Sequence, residues 1–234
     1  MKRIKFLFLG AALLLLSAAG AQTVDEIINK HIEAIGGKEK ISQVKSLYIE
    51  NTVDAMGNSS ASVESLLQGK GYKSETEFNG QKVINCYTDK GGWALNPFFG
   101  TPDPQAMPDE MYKAGKDQIY FGGPLVDYAT KGNKVESLGK EGTNYKLKVT
   151  SGSLETSYFI DESTYLITKT SAKGDFGGQS VEITMNFSDY KKTDFGIVLP
   201  YTRSTDFGGF ALAYKITKVE VNKEIDPKIF EMSK

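Results

Sequence analysis

The chain has one cysteine, one histidine and one tryptophan. With Cys86 alone, an intramolecular disulfide is impossible even in an oxidising compartment. Its strand-like surroundings, Val83-Ile84-Asn85-Cys86-Tyr87, make it a buried structural thiol rather than a reactive one. A single histidine excludes zinc sites built from histidine and cysteine. It also excludes Ser-His-Asp and Cys-His catalytic sets, unless His31 serves alone. The spacings G-x-S-x-G and H-E-x-x-H, the phosphate-binding loop and the calcium loop are all missing. No cofactor, no metal and no enzymatic activity are therefore expected. An excess of one charge is lacking too: 28 basic side chains face 29 acidic ones. That balance supplies no electrostatic reason for binding nucleic acid or anionic lipid surfaces. Beyond residue 16, no run is apolar enough to cross a membrane as a helix.

The first twenty-one residues do form a recognisable unit. Met1-Lys2-Arg3-Ile4-Lys5 is a basic start, Phe6 to Leu16 is apolar, and Ser17-Ala18-Ala19-Gly20-Ala21 is small. Ala19 and Ala21 fit the A-x-A rule, so a secretory signal with cleavage after Ala21 is expected. Removing it takes Lys2, Arg3 and Lys5 and no acid, leaving a net charge of about −4 on 22–234. That remainder suits one domain with a well-buried core.

A helix follows. Val24, Ile27, Ile28, His31, Ile32 and Ile35 recur at spacings of three and four, behind Thr23 and Asp25 and ahead of Gly36-Gly37. His31 falls on the apolar face, where a packed or rim histidine is expected. A short second helical turn is read over Lys38–Val44. From Ser46 the period changes to two: Leu47, Ile49 and Val53 alternate with Tyr48, Glu50 and Thr52. Ala61–Gln68, Tyr72–Phe78, Lys82–Thr88 and a short strand near Trp93 continue the pattern. Asn79-Gly80 between two alternating runs is the strongest hairpin signal. Strands resume at Lys134 and continue through Tyr145–Val149, Leu154–Asp161, Tyr165–Ser171, Val181–Phe187, Ile197–Thr205 and Phe210–Val221. The last run slips phase, which predicts a bulge near Thr217-Lys218. Asp-Phe-Gly occurs at 175–177, 194–196 and 206–208, each where a strand should end, and is read as a turn. The tail is expected to dock Ile229 and Phe230 on the domain. The count is ten or eleven antiparallel strands in one meander, which disfavours parallel α/β folds.

One stretch breaks the rhythm. Residues 96–131 hold five of the seven prolines together with many aromatic and methionine side chains. A helix is expected from Pro108 to about Ile119. Such an insertion is either a lid over a binding site or a plug on one end of the core. Trp93, Phe98, Phe99, Met107, Met111 and Tyr120 are the candidate lid and cavity-rim residues. A wide sheet that curls without closing leaves an apolar trough able to take acyl chains or apolar peptide by burial alone.

The order of these features resembles the LolA/LolB-like superfamily of outer-membrane lipoprotein-sorting proteins, in its Bacteroidetes-type form. The resemblance rests on Ala34-Ile35-Gly36-Gly37-Lys38-Glu39, Val44-Lys45-Ser46-Leu47, Gly123-Pro124-Leu125-Val126-Asp127-Tyr128, Tyr145–Val149, Tyr158–Ile167 and Ile225-Asp226-Pro227…Phe230. It covers about residues 24–232. It implies a mainly β (α+β) fold: an unclosed, strongly curved antiparallel half-barrel with helices on the concave face, in a single domain over 22–234. It further implies a periplasmic monomer that carries lipoprotein acyl chains or another lipid without catalysis. An envelope assembly protein that binds a protein partner is the alternative, and a hydrolase of unfamiliar type the third. In the best-known carriers a strand arginine holds the lid shut; outside the leader this chain has only Arg203.

Overall fold

A computed structural model describes residues 22–176 and 179–232. The expected signal segment, the cleavage point after Ala21 and Gly177 of the first Asp-Phe-Gly lie outside the described residues.

Helix α1 (Val24–Ala34) is capped by Thr23, whose side chain accepts from the Glu26 amide while the Glu26 carboxylate takes the Thr23 amide. Helix α2 (Lys38–Ser42) follows directly, after Gly37 at φ 83°. A strand meander then runs β1 (Ser46–Ala55), β2 (Asn58–Leu67), β3 (Gly71–Phe78), β4 (Gln81–Thr88), β5 (Gly92–Asn96) and β6 (Thr101–Ala106). The Asn79-Gly80 turn joins β3 to β4 with both residues at positive φ. Helix α3 (Asp109–Gly115) and a 3₁₀ turn (Lys116–Ile119) open a long connection. Strands resume as β7 (Lys134–Glu141), β8 (Asn144–Ser151), β9 (Leu154–Asp161), β10 (Ile167–Phe176), β11 (Gln179–Lys192), β12 (Val198–Asp206) and β13 (Ala211–Val221).

All thirteen strands form one antiparallel sheet in the order β6-β5-β4-β3-β2-β1-β13-β12-β11-β10-β9-β8-β7. It is curved and does not close, so β6 and β7 are its two edges. The number exceeds the ten or eleven expected, and one of the additional strands, β6, Thr-Pro-Asp-Pro-Gln-Ala, lies inside the proline-rich insertion. Two prolines argue against a central strand but are tolerated at an edge, where an amide need not be donated. The expected helix there is also shorter, ending at Gly115. The predicted bulge is present: Glu50 pairs with Lys218 and Asn51 with Ile216, which leaves Thr217 unpaired.

Cross-strand partners share a face, so the register separates the two sides of the sheet. Leu47, Ile49, Leu66, Leu147, Val149, Ile160 and Ile216 line the concave side and join Ile27, Ile28, Ile32 and Ile35 of the helical layer in one core. Each such side chain contributes about 1.5–3 kcal/mol on burial. On the convex side the C-terminal turn (Pro227–Phe230) packs Phe230 against Ile84, Cys86 and Trp93. Phe230 docks as expected, whereas Ile229 stays 37% exposed.

Candidate functional site

The connection from β6 to β7, residues 107–133, runs from one open edge to the other across the concave face. Near β6, Met107 packs with Tyr87 and Ile119, joined by Tyr72, Tyr112 and Tyr120. Further along, Phe121, Leu125 and Val126 enter the core beneath α1 and α2. This strap and α1 together form the cover. Polar bonds hold it at its ends. The Gly69 amide donates to the Ile119 carbonyl and the Phe121 amide to Gln68 Oε1, both at 2.8 Å. Asn133 donates to Asp117 and to the Pro124 carbonyl, and Ser151 donates to Asp117. Tyr128 donates to Asp25 of α1 at 2.8 Å, and Lys38 pairs with Asp127 at 3.3 Å. On the other side Tyr165, at φ 57°, clasps α1. Its carbonyl lies 2.8 Å from His31 Nδ1, and Lys30 reaches its hydroxyl.

Beyond the cover the concave face continues. Val181, Ile183, Met185 and Phe187 of β11 and Leu212 of β13 are half-buried there, and none belongs to the core that α1 and the strap complete. Gly174, opposite Val181, leaves room for the Ile183 side chain, whose Cδ1 would lie 2.4 Å from an added Cβ. The concave side is therefore a covered core beside an uncovered apolar strip.

A polar seam divides the two. Arg203 of β12 reaches over β13 and β1 to Glu64 of β2. Its Nη1 lies 3.3 Å from Glu64 Oε2, and Nη2 pairs with Oε1. Asn51 of β1 donates to Glu64 Oε1 at 3.0 Å and Tyr72 of β3 to Oε2 at 3.2 Å. The Tyr214 ring lies 5.4 Å from the guanidinium carbon. Burial works against the Arg203 charge, but Glu64 beside it holds the guanidinium above its ordinary pKa. Burial, then Glu64, pushes the Tyr72 phenol well up. Arg203 thus bonds within the sheet; its hydrogen bonds do not reach the cover.

The six residues singled out by sequence divide. Met107 and Tyr120 meet under the strap. Phe98, 51% exposed in the turn Pro97–Phe99, and Met111, 46% exposed on α3, lie outward. Phe99 lies in the same turn. Trp93 is on the convex face, paired with Cys86, its Nε1 donating to the Phe230 carbonyl at 2.8 Å, and so is apart from the hollow. Strand alternation placed Trp93 in the sheet but could not say which face is concave. Arg203, Glu64, Asn51 and Tyr72 were missed as a group. The available signal was the coincidence of Arg203, the only arginine beyond residue 3, with Glu64 in phase with Leu66.

Among the described residues no cluster of histidine, cysteine and acids could hold a metal. No helix among them is long and apolar enough to cross a membrane.

An open sheet curled around its own helices and strapped between its edges defines a class of fold. Three of the solved structures that share it are these. A LolA superfamily protein from Nitrosomonas europaea superposes with TM-score 0.59 at 12% identity, over 90% of this chain and 98% of that one. An outer membrane lipoprotein-sorting protein domain from Vibrio parahaemolyticus gives 0.57 at 13%, over 87% and 95%. A DUF1329 family protein from Desulfovibrio piger gives 0.55 at 14%, over 89% and 97%. No family model and no curated protein matches by sequence. The chain has the LolA-like fold.

Proposed function

We propose that this protein is a non-catalytic, exported binder or carrier of lipid acyl chains in the bacterial envelope, acting in the periplasm in outer-membrane lipoprotein sorting. One observation carries the reading: apolar side chains on the concave sheet extend past the cover as the strip Val181, Ile183, Met185, Phe187 and Leu212. A strip so placed gives an acyl chain a surface to lie on, and displacing α1 or the strap would lengthen it into the core. The fold shared with a lipoprotein-sorting domain supports the same reading. Met107 and Tyr120 are proposed to meet the ligand when the strap lifts, with Phe98, Phe99 and Met111 on the outer rim.

Purification from the native host followed by lipid extraction tests this. Stoichiometric acyl lipid is expected. A lipid-free protein that also takes up no fluorescent acyl probe would overturn the proposal.

A second reading has its own observation. Edge strand β7 is mostly exposed and carries Leu138 at 49% exposure, an apolar side chain against which a protein partner could pack. Recovery of one stoichiometric protein partner without lipid would favour it.

A further inference from the structure

We infer that Arg203 is the polar recognition point of the trough, and that it selects an uncharged lipid bearing a carbonyl oxygen, an acyl ester, over a fatty-acid anion of the same length. The inference rests on the acyl-binding reading above and names the ligand's polar group.

The argument is one of hydrogen-bond accounting. Glu64 is fully occupied: Oε1 accepts from Arg203 Nη2 and Asn51, Oε2 from Arg203 Nη1 and Tyr72. Arg203 Nε is the one buried side-chain nitrogen or oxygen among the described residues with no hydrogen-bond partner. Because both Nη atoms reach away over β13 to Glu64, Nε is the nitrogen nearest β12. Its register neighbours are Phe187 of β11 and Tyr214 of β13. The unused N–H therefore sits at the junction of the uncovered strip and the covered core. A chain lying along Met185 and Phe187 ends its apolar length there.

Charge decides the kind of acceptor. Arg203 and Glu64 already cancel. A carboxylate brought beside them would leave a net negative charge in a poorly hydrated site, which is costly. One neutral carbonyl oxygen needs one donor, and one donor is free.

The test compares 1-monooleoylglycerol with oleate by displacement of N-phenyl-1-naphthylamine at pH 8, where oleate is ionised. The ester is expected to bind roughly tenfold tighter. Arg203→Lys keeps a cation for Glu64 but removes Nε, and should weaken the ester severalfold without strengthening oleate. Arg203→Met with Glu64→Leu removes both charges, leaves neither unpaired, and should weaken the ester likewise. A diacylglyceryl-modified peptide forms a second arm. Arg203-dependent uptake assigns protein-linked esters; its exclusion, with the monoacylglycerol still bound, assigns glycerolipids. Equal affinities in the unmodified protein, or an ester affinity unchanged in both variants, would overturn the inference and leave the acyl-binding reading standing. Binding of neither lipid would overturn both.

Discussion

His31 occupies a place where a charge is hard to hold. It faces inward from α1, 3% exposed, among Ile27, Ile28 and Ile32. Burial lowers its pKa below the ordinary 6.5, and its bond to the Tyr165 carbonyl only partly opposes that. The charged neighbour Lys30 lies on the outer side of the helix against Tyr165, which itself stacks on Tyr145. No acid among these contacts offsets an imidazolium. Because the folded protein binds this proton more weakly than the unfolded chain, the stability involved is full above about pH 6.5. It is lost as pH falls below that value. Thermal unfolding at pH 7.5 and 5.5 should show a larger drop for the unmodified protein than for His31→Gln, which keeps a donor for Tyr165. Equal drops would show that burial of His31 does not set this dependence. Leu125, fully buried beneath the helices, gives the apolar counterpart. Leu125→Ala should cost about 2–5 kcal/mol by denaturant titration.

At the scale of elements, the C-terminal turn shows how little sequence is needed to dock a segment. Phe230 lies where Gly71 has no side chain; a Cβ there would come within 2.6 Å of the ring. Its carbonyl takes bonds from Trp93 Nε1 at 2.8 Å and Cys86 Sγ at 3.4 Å. Burial pushes the Cys86 thiol up to about 12. Gly71→Val should therefore expel the turn, shift Trp93 fluorescence to the red and open Cys86 to iodoacetamide, while far-ultraviolet dichroism keeps its sheet signal. Unchanged alkylation would show that the turn does not shield the thiol. The same elements show what sequence can and cannot carry. Alternation and Asn79-Gly80 mark strands and turns because both are local. Even the bulge at Thr217 is legible, since a phase slip is a local event. Facing is not local. Trp93 and Met107 are close in the chain, yet one packs on the convex side and the other on the concave. β6 was hidden because proline speaks against strands in general and not against edges. The Arg203–Glu64 pair spans 139 residues, and no pattern within either strand announces it.

For the molecule as a whole, an open sheet must protect two edges, and it protects them differently. β7 carries a register break between Ser137 and Lys140 and Gly139 at φ 85°, so its row of free amides is interrupted. β6 instead presents Pro102 and Pro104, which remove two donors from the six-residue edge. Pro102→Thr with Pro104→Thr restores those donors on a strand with high β propensity. The expected result is concentration-dependent self-association, seen as a second species in light scattering coupled to size exclusion. The unmodified chain should stay monomeric at the same concentration. The cover should be unaffected, because β6 precedes the strap and Met107 still bonds through its amide to the Gly92 carbonyl. Acyl-probe uptake by the variant's monomer fraction should therefore match the parent. A variant that remained monomeric at high concentration would show that curvature alone, and not the prolines, keeps this edge from pairing.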